Sequence, residues 1–117
     1  MFKLNFPIEK VVPIVAYGWD DETSMRDNNT SAFNYRFVQG TEILSNHSYG
    51  RAIDINPLFN PYVKGSVVQP HGATYSPARS GTIVDKDSVV LLFEGVGWTW
   101  GGHWQNLKDY QHFERTQ

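Results

Sequence analysis

The chain has 117 residues and carries 10 Lys plus Arg against 12 Asp plus Glu, a balance that argues against a nucleic-acid binder with its basic stripe. There is no cysteine, so a disulfide framework and a thiolate metal site or nucleophile are excluded. Any transition-metal site must draw on four histidines together with Asp or Glu. No apolar window of about 18 residues occurs, so no membrane span is expected, and the length suits a single domain over residues 1–117.

In chain order, Met1 to Pro7 lacks the apolar run and small-residue cleavage site of a secretory signal. Two apolar stretches within residues 1–17 each meet a proline, Pro7 and Pro13, and read as docking segments and an edge strand. Residues 18–32 are rich in Asp, Asn, Ser and Thr and read as a loop. Glycosylation sequons begin at Asn28, Asn29 and Asn46. Phe33 to Val38 alternates aromatic and polar residues, which predicts a strand with Arg36 opposite the aromatics. A turn-rich stretch over 40–50 ends at Gly50. Ala52 to Asn56 alternates again, with Ile53 and Ile55 on one face, Ala52, Asp54 and Asn56 on the other, and Pro57 as the stop.

Residues 57–82, with Pro57, Pro61, Pro70 and Pro77, read as a long irregular excursion containing a short strand at Ser66–Val68. Asp85 to Ser88 offers helix N-caps, Val89, Leu92 and Phe93 make an apolar helical face, and Gly95 or Gly97 ends it. Trp98 to Trp104 is dense in aromatics and glycine, and Asp109 to Glu114 reads as a loop entering a terminal strand. The expected architecture is α+β, a small antiparallel sheet with few helices and long loops.

Chemistry concentrates in Ser45-Asn46-His47-Ser48-Tyr49-Gly50-Arg51-Ala52-Ile53-Asp54. His47 precedes a turn, Gly50 permits a tight reversal, and Asp54 sits on the strand that follows, facing away from the isoleucines. A carboxylate in mid-strand needs a partner if buried, and a metal ion is one such partner. Asp109 and His112, three residues apart, can meet if the chain turns there, one as ligand and the other as base. Three protein ligands with an open fourth position is the pattern of a catalytic zinc site.

Ser-x-His-x-x-Gly-x-Ala-x-Asp at 45–54, followed downstream by Asp-x-x-His-Phe at 109–113, resembles the M15 zinc peptidases. These are the D-alanyl-D-alanine carboxypeptidases and L-alanyl-D-glutamate endopeptidases of peptidoglycan stem peptides, in VanY-like and endolysin-like branches that share the hedgehog/DD-peptidase fold. Phe33-Asn34-Tyr35-Arg36 lies where the family carries a substrate-facing arginine, and Gly97 to Trp104 is similar to the segment before the last ligand. The resemblance implies one catalytic Zn²⁺ held by His47, Asp54 and His112, with Asp109 as general base to the zinc-activated water and Arg36 at the scissile carbonyl. Ser45, Trp98, Trp100 and His103 are candidate substrate contacts with Trp104 as a further groove residue, although the three tryptophans read more as core than as substrate platform because aromatics chiefly bury area, and His103 departs from the acidic residue common in the endolysin-like branch.

The expected protein is a monomer that takes peptidoglycan stem peptides as its partner. Its place is periplasmic or extracellular, at the cell wall, or it is a phage-type lysin made in the cytoplasm. A free substrate carboxylate would call on Arg36, Arg51 or Arg79. Two other readings are a zinc-bearing, non-catalytic binding module of the same fold and a metal-free glycan-binding domain using the tryptophans.

Overall fold

The computed structural model describes residues 6–32, 45, 47 and 51–115. Within them lie two helices, α1 (Asp21–Arg26) and α2 (Ser88–Glu94), and six short strands. The strands are β1 (Ala52–Asp54), β2 (Tyr62–Lys64), β3 (Val67–Gln69), β4 (Trp98–Trp100), β5 (Lys108–Asp109) and β6 (His112–Arg115). They form two antiparallel three-stranded sheets, ordered β1-β6-β4 and β3-β2-β5, so the α+β expectation holds with two sheets in place of one. The strand expected at Phe33–Val38, with Arg36, lies outside the described residues, as does Gly50.

The first sheet shows how a period of two sorts side chains. Ile53, Phe113 and Trp100 share one cross-strand row. Phe113 and Trp100 are buried in the core with Ile55, Ile83, Val89 and Val90. Phe93 of α2 stacks on Phe113 with ring centroids 4.3 Å apart. The next row, Asp54 opposite His112, faces the other way. Leu92, expected on the apolar face of α2, is exposed, and Val90 takes its place. The helix is only seven residues long, and the sheet meets it along the Val89–Val90 edge.

The second sheet corrects the reading of 57–82. Its single expected strand is the second arm of a hairpin, β2–β3, in which Lys64 pairs with Val67. Gly65 makes the tight turn at φ 59°, a conformation that β-branched or bulky residues avoid. Tyr62 pairs both with Gln69 on one side and with Asp109 on the other.

Residues 18–32 are not all loop, because α1 forms there. Its sequence, DETSMR, is polar on nearly every face and has no amphipathic period to betray it. The edge strand expected within residues 1–17 reduces, among the described residues, to one bridge between Lys10 and Asn29 and a 3₁₀ turn at Ile14–Tyr17.

Buried asparagines take over the work of a ladder. Asn29 accepts from the Val12 N–H and donates to the Val12 carbonyl, both at 2.8 Å. Asn56 accepts from Glu9 N–H at 2.9 Å and donates to the Pro7 carbonyl at 2.7 Å. Asn60 accepts from Ile83 N–H at 2.6 Å and donates to Gly81 O at 3.0 Å. Asn28 and Asn29 are buried, so their sequons are closed to modification in the folded chain.

Candidate metal centre

Asp54 uses its own N–H and C=O on Ser31, at 2.8 and 2.9 Å. Towards β6 it is therefore a non-hydrogen-bonded partner of His112, the ladder position that brings opposed side chains closest. His112 Nδ1 lies 2.9 Å from Asp54 Oδ1, and His47 Nε2 lies 3.1 Å from Asp54 Oδ2. The two imidazole rings meet edge to face at 5.3 Å. All three residues are buried, and one ligand atom from each falls within 4.8 Å of the others.

The outer nitrogens of both rings are held by atoms that can only accept. His47 Nδ1 is 3.0 Å from the Ala32 carbonyl, and His112 Nε2 is 2.8 Å from Glu114 Oε1. Each ring can thus donate outward while its other nitrogen faces the Asp54 carboxylate, the placement of a metal ligand once that inner nitrogen has given up its proton. Ligands about 2.1 Å from a tetrahedral ion sit roughly 3.4 Å from one another, and the observed 2.9 and 3.1 Å separations are a few tenths shorter. The set of two nitrogens and one oxygen fits a divalent transition metal after a small outward relaxation.

The electrostatics follow from the burial. Desolvation pushes the Asp54 carboxyl up, but the charge of His47 and the hydrogen bonds from His112 and His47 hold it well below the usual carboxylate range. Desolvation pushes His112 down, yet hydrogen bonds to Asp54 and Glu114, with the charges of Asp54 and Asp109, raise it to about 10.

The centre opens into a cavity of about 500 Å³. Ser45, His47, Asp54, Asp109, His112 and Glu114 line it, together with Tyr62, Lys64 and Gln69 of the second sheet, Asp21 and Met25 of α1, and Trp104 and Gln111. The turn Tyr110–Gln111 carries the chain from β5 to β6, and Ile55 N–H donates to Gln111 O at 2.9 Å, fixing that turn against β1. Asp109 and His112 therefore reach one cavity from different sheets. Gly101 packs so closely on Asp109 that a Cβ there would overlap the Asp109 carbonyl.

Other expected site residues divide. Ser45 lines the cavity, and its hydroxyl accepts from the His47 N–H at 3.2 Å. Trp100 is 2 % exposed and belongs to the core, where its indole N–H donates to Tyr110 O at 2.8 Å. Trp98 packs against the same core and Phe93. Neither is among the described lining residues; the tryptophan there is Trp104, with its ring 5.4 Å from that of His112. The alternation of β4 explains the correction, since residues 98 and 100 share the core face.

His103 also lies away from the described lining. Its Nε2 is 2.7 Å from Asp85 and its Nδ1 is 3.3 Å from Glu94, a fastening between α2 and the turn after β4. Arg36 lies outside the described residues. Glu114 went unnoticed in the sequence, although His-x-Glu on a strand places the two side chains on one face.

A profile of the M15 peptidases described as D-alanyl-D-alanine carboxypeptidase matches residues 39–115, about two-thirds of the chain. No curated protein and no solved structure matches it. The matched span contains all three members of the buried His-Asp-His cluster and the acid at Asp109. The chain belongs to the M15 peptidase family.

Proposed function

We propose that the protein is a zinc-dependent peptidase that hydrolyses peptide bonds in peptidoglycan stem peptides, of the D-Ala-D-Ala carboxypeptidase or L-Ala-D-Glu endopeptidase type. The observation that carries this reading is the pair of outward-donating histidines. His47 and His112 both turn their inner nitrogens onto Asp54, in the cavity that Asp109 also lines.

His47, Asp54 and His112 would hold the ion, and zinc supplies Lewis-acid polarisation there and brings the acidity of water into the neutral range. Asp109 takes a proton from the attacking water and returns it to the departing amine as the amide bond breaks. Burial of the centre strengthens every charge interaction within it. Trp104 offers an aromatic wall beside His112 for the peptide. A base at Asp109 favours a peptidase over a binding module of the same fold, which has no use for one.

The test is zinc content together with product mass. Protein purified without added zinc should carry close to one zinc per chain and should release a fragment of defined mass from a pentapeptide muropeptide. Stoichiometric zinc with no hydrolysis of any muropeptide overturns the peptidase reading in favour of the binding module.

A further inference from the structure

The second sheet contributes a row of polar groups to the cavity wall. Gln69, Tyr62 and Asp109 are cross-strand partners across β3, β2 and β5, and all three line the cavity. Lys64 lies two residues beyond Tyr62, on the same face of β2, and lines it too. The described lining otherwise carries the carboxylates of Asp21, Asp54, Asp109 and Glu114, and Lys64 is its one Lys or Arg. Lys64 is exposed and makes no salt bridge among the described residues. Of the arginines that the sequence offered for a substrate carboxylate, Arg36 lies outside the described residues, Arg79 is stacked over Phe59 at 4.2 Å, and neither Arg79 nor Arg51 is in the described lining.

Resting on the peptidase reading above, we infer that Lys64 binds a free carboxylate on the residue immediately after the scissile bond. Lys64 lies two residues, about 7 Å, along β2 from Tyr62, the partner of Asp109. The carboxylate of the residue after an amide poised at Asp109 extends one residue, about 3.4 Å, in that direction, and the long Lys64 side chain spans the remainder. A carboxylate entering so acidic a cavity needs a fixed cation, and an ammonium with no other ion pair is free to serve. Two stem-peptide groups have this chemistry. One is the terminal D-Ala of a D-Ala-D-Ala end, and the other is the α-carboxylate of a γ-linked D-Glu after L-Ala.

The test measures binding of matched acid and amide peptides to the zinc-loaded full chain carrying Asp109→Asn, which suppresses turnover. One pair ends in D-Ala-D-Ala as acid or C-terminal amide, and the other contains L-Ala-γ-D-Glu with its α-carboxyl free or amidated. Calorimetry gives the affinities. In the pair that the protein uses, the acid should bind about tenfold or more tighter than the amide. Lys64→Ala should bring the acid down to the level of the amide, and Lys64→Arg should keep the preference. Which pair shows the preference identifies the source of the carboxylate. Binding or cleavage without any acid preference, or a preference that survives Lys64→Ala, overturns the assignment of Lys64 while the peptidase reading stands. A zinc-loaded protein that neither binds nor cleaves any of the four peptides overturns both.

Discussion

Asp54 and His112 are direct partners across the β1–β6 ladder, with Oδ1 and Nδ1 2.9 Å apart on the face turned away from the core. The opposite face of the same ladder holds Phe113 buried in the core. Strand register thus decides two things together, since a slip of β6 by one residue would turn His112 inward, away from Asp54, and bring Phe113 out. Burial of Phe113 alone favours the native register by roughly 1.5–3 kcal/mol. Hydrophobic packing in this way holds two of the three candidate ligands in place before any ion arrives.

Asp109 is the first position to test. It lines the cavity from β5 but is not one of the clustered ligand residues. Asp109→Ala should leave zinc stoichiometry unchanged while kcat falls by about 10²–10⁴. Metal analysis and turnover of a muropeptide on the same sample check both halves, and a variant with near-full activity removes Asp109 as the base.

Glu114 holds the outer nitrogen of His112 at 2.8 Å. Losing that acceptor frees the ring to change tautomer and weakens the inner nitrogen as a donor, so Glu114→Ala should lower zinc affinity by roughly 10–100-fold. Competition with a zinc chelator measures it. Glu114→Gln should fall between the two, because its amide oxygen still accepts.

The pH dependence of zinc uptake follows from His112. Its raised value, about 10 against an ordinary 6.5, means that the ion must displace a proton from this ring across the neutral range. Without zinc, the same interaction stabilises the fold fully below about pH 6.5 and is lost as pH rises towards about 10. Asp54 stays ionised throughout and adds no proton to the exchange. Zinc affinity should therefore climb about tenfold per pH unit between pH 7 and 9, with proton release visible as a buffer dependence of the calorimetric heat. A flat profile would contradict the geometry around Nδ1.

The legible parts of the molecule were those where a periodic pattern and a chemical need coincide. Ile53 and Ile55 mark the core face of β1, which leaves Asp54 on the other. The spacing of Asp109 and His112 becomes a turn between two strands. Less legible were elements without a period of their own. α1 is a short polar helix whose surroundings matter more than its propensity, and β2 is too short and too close to Pro61 to show alternation. The tryptophans carry two demands, substrate contact and the burial of large aromatic area, and for Trp98 and Trp100 the structure meets the second, with both side chains on the core face of β4.

Gly101 offers the last test, one that separates packing from chemistry. Its backbone is clear of the left-handed region, so an alanine meets no conformational barrier there, yet its Cβ would overlap the carbonyl of Asp109 and come within 2.9 Å of the Asp109 Cβ. Backbone cannot rotate out of the way as a flexible side chain does, so β5 must shift. Gly101→Ala should cost about 1–3 kcal/mol of stability in thermal or denaturant unfolding. Displacement of Asp109 should also lower kcat more than it raises KM, while His47, Asp54 and His112 keep their zinc. Loss of zinc in step with activity would show instead that the two sheets move together, and that Asp109 and the metal ligands are not independently placed.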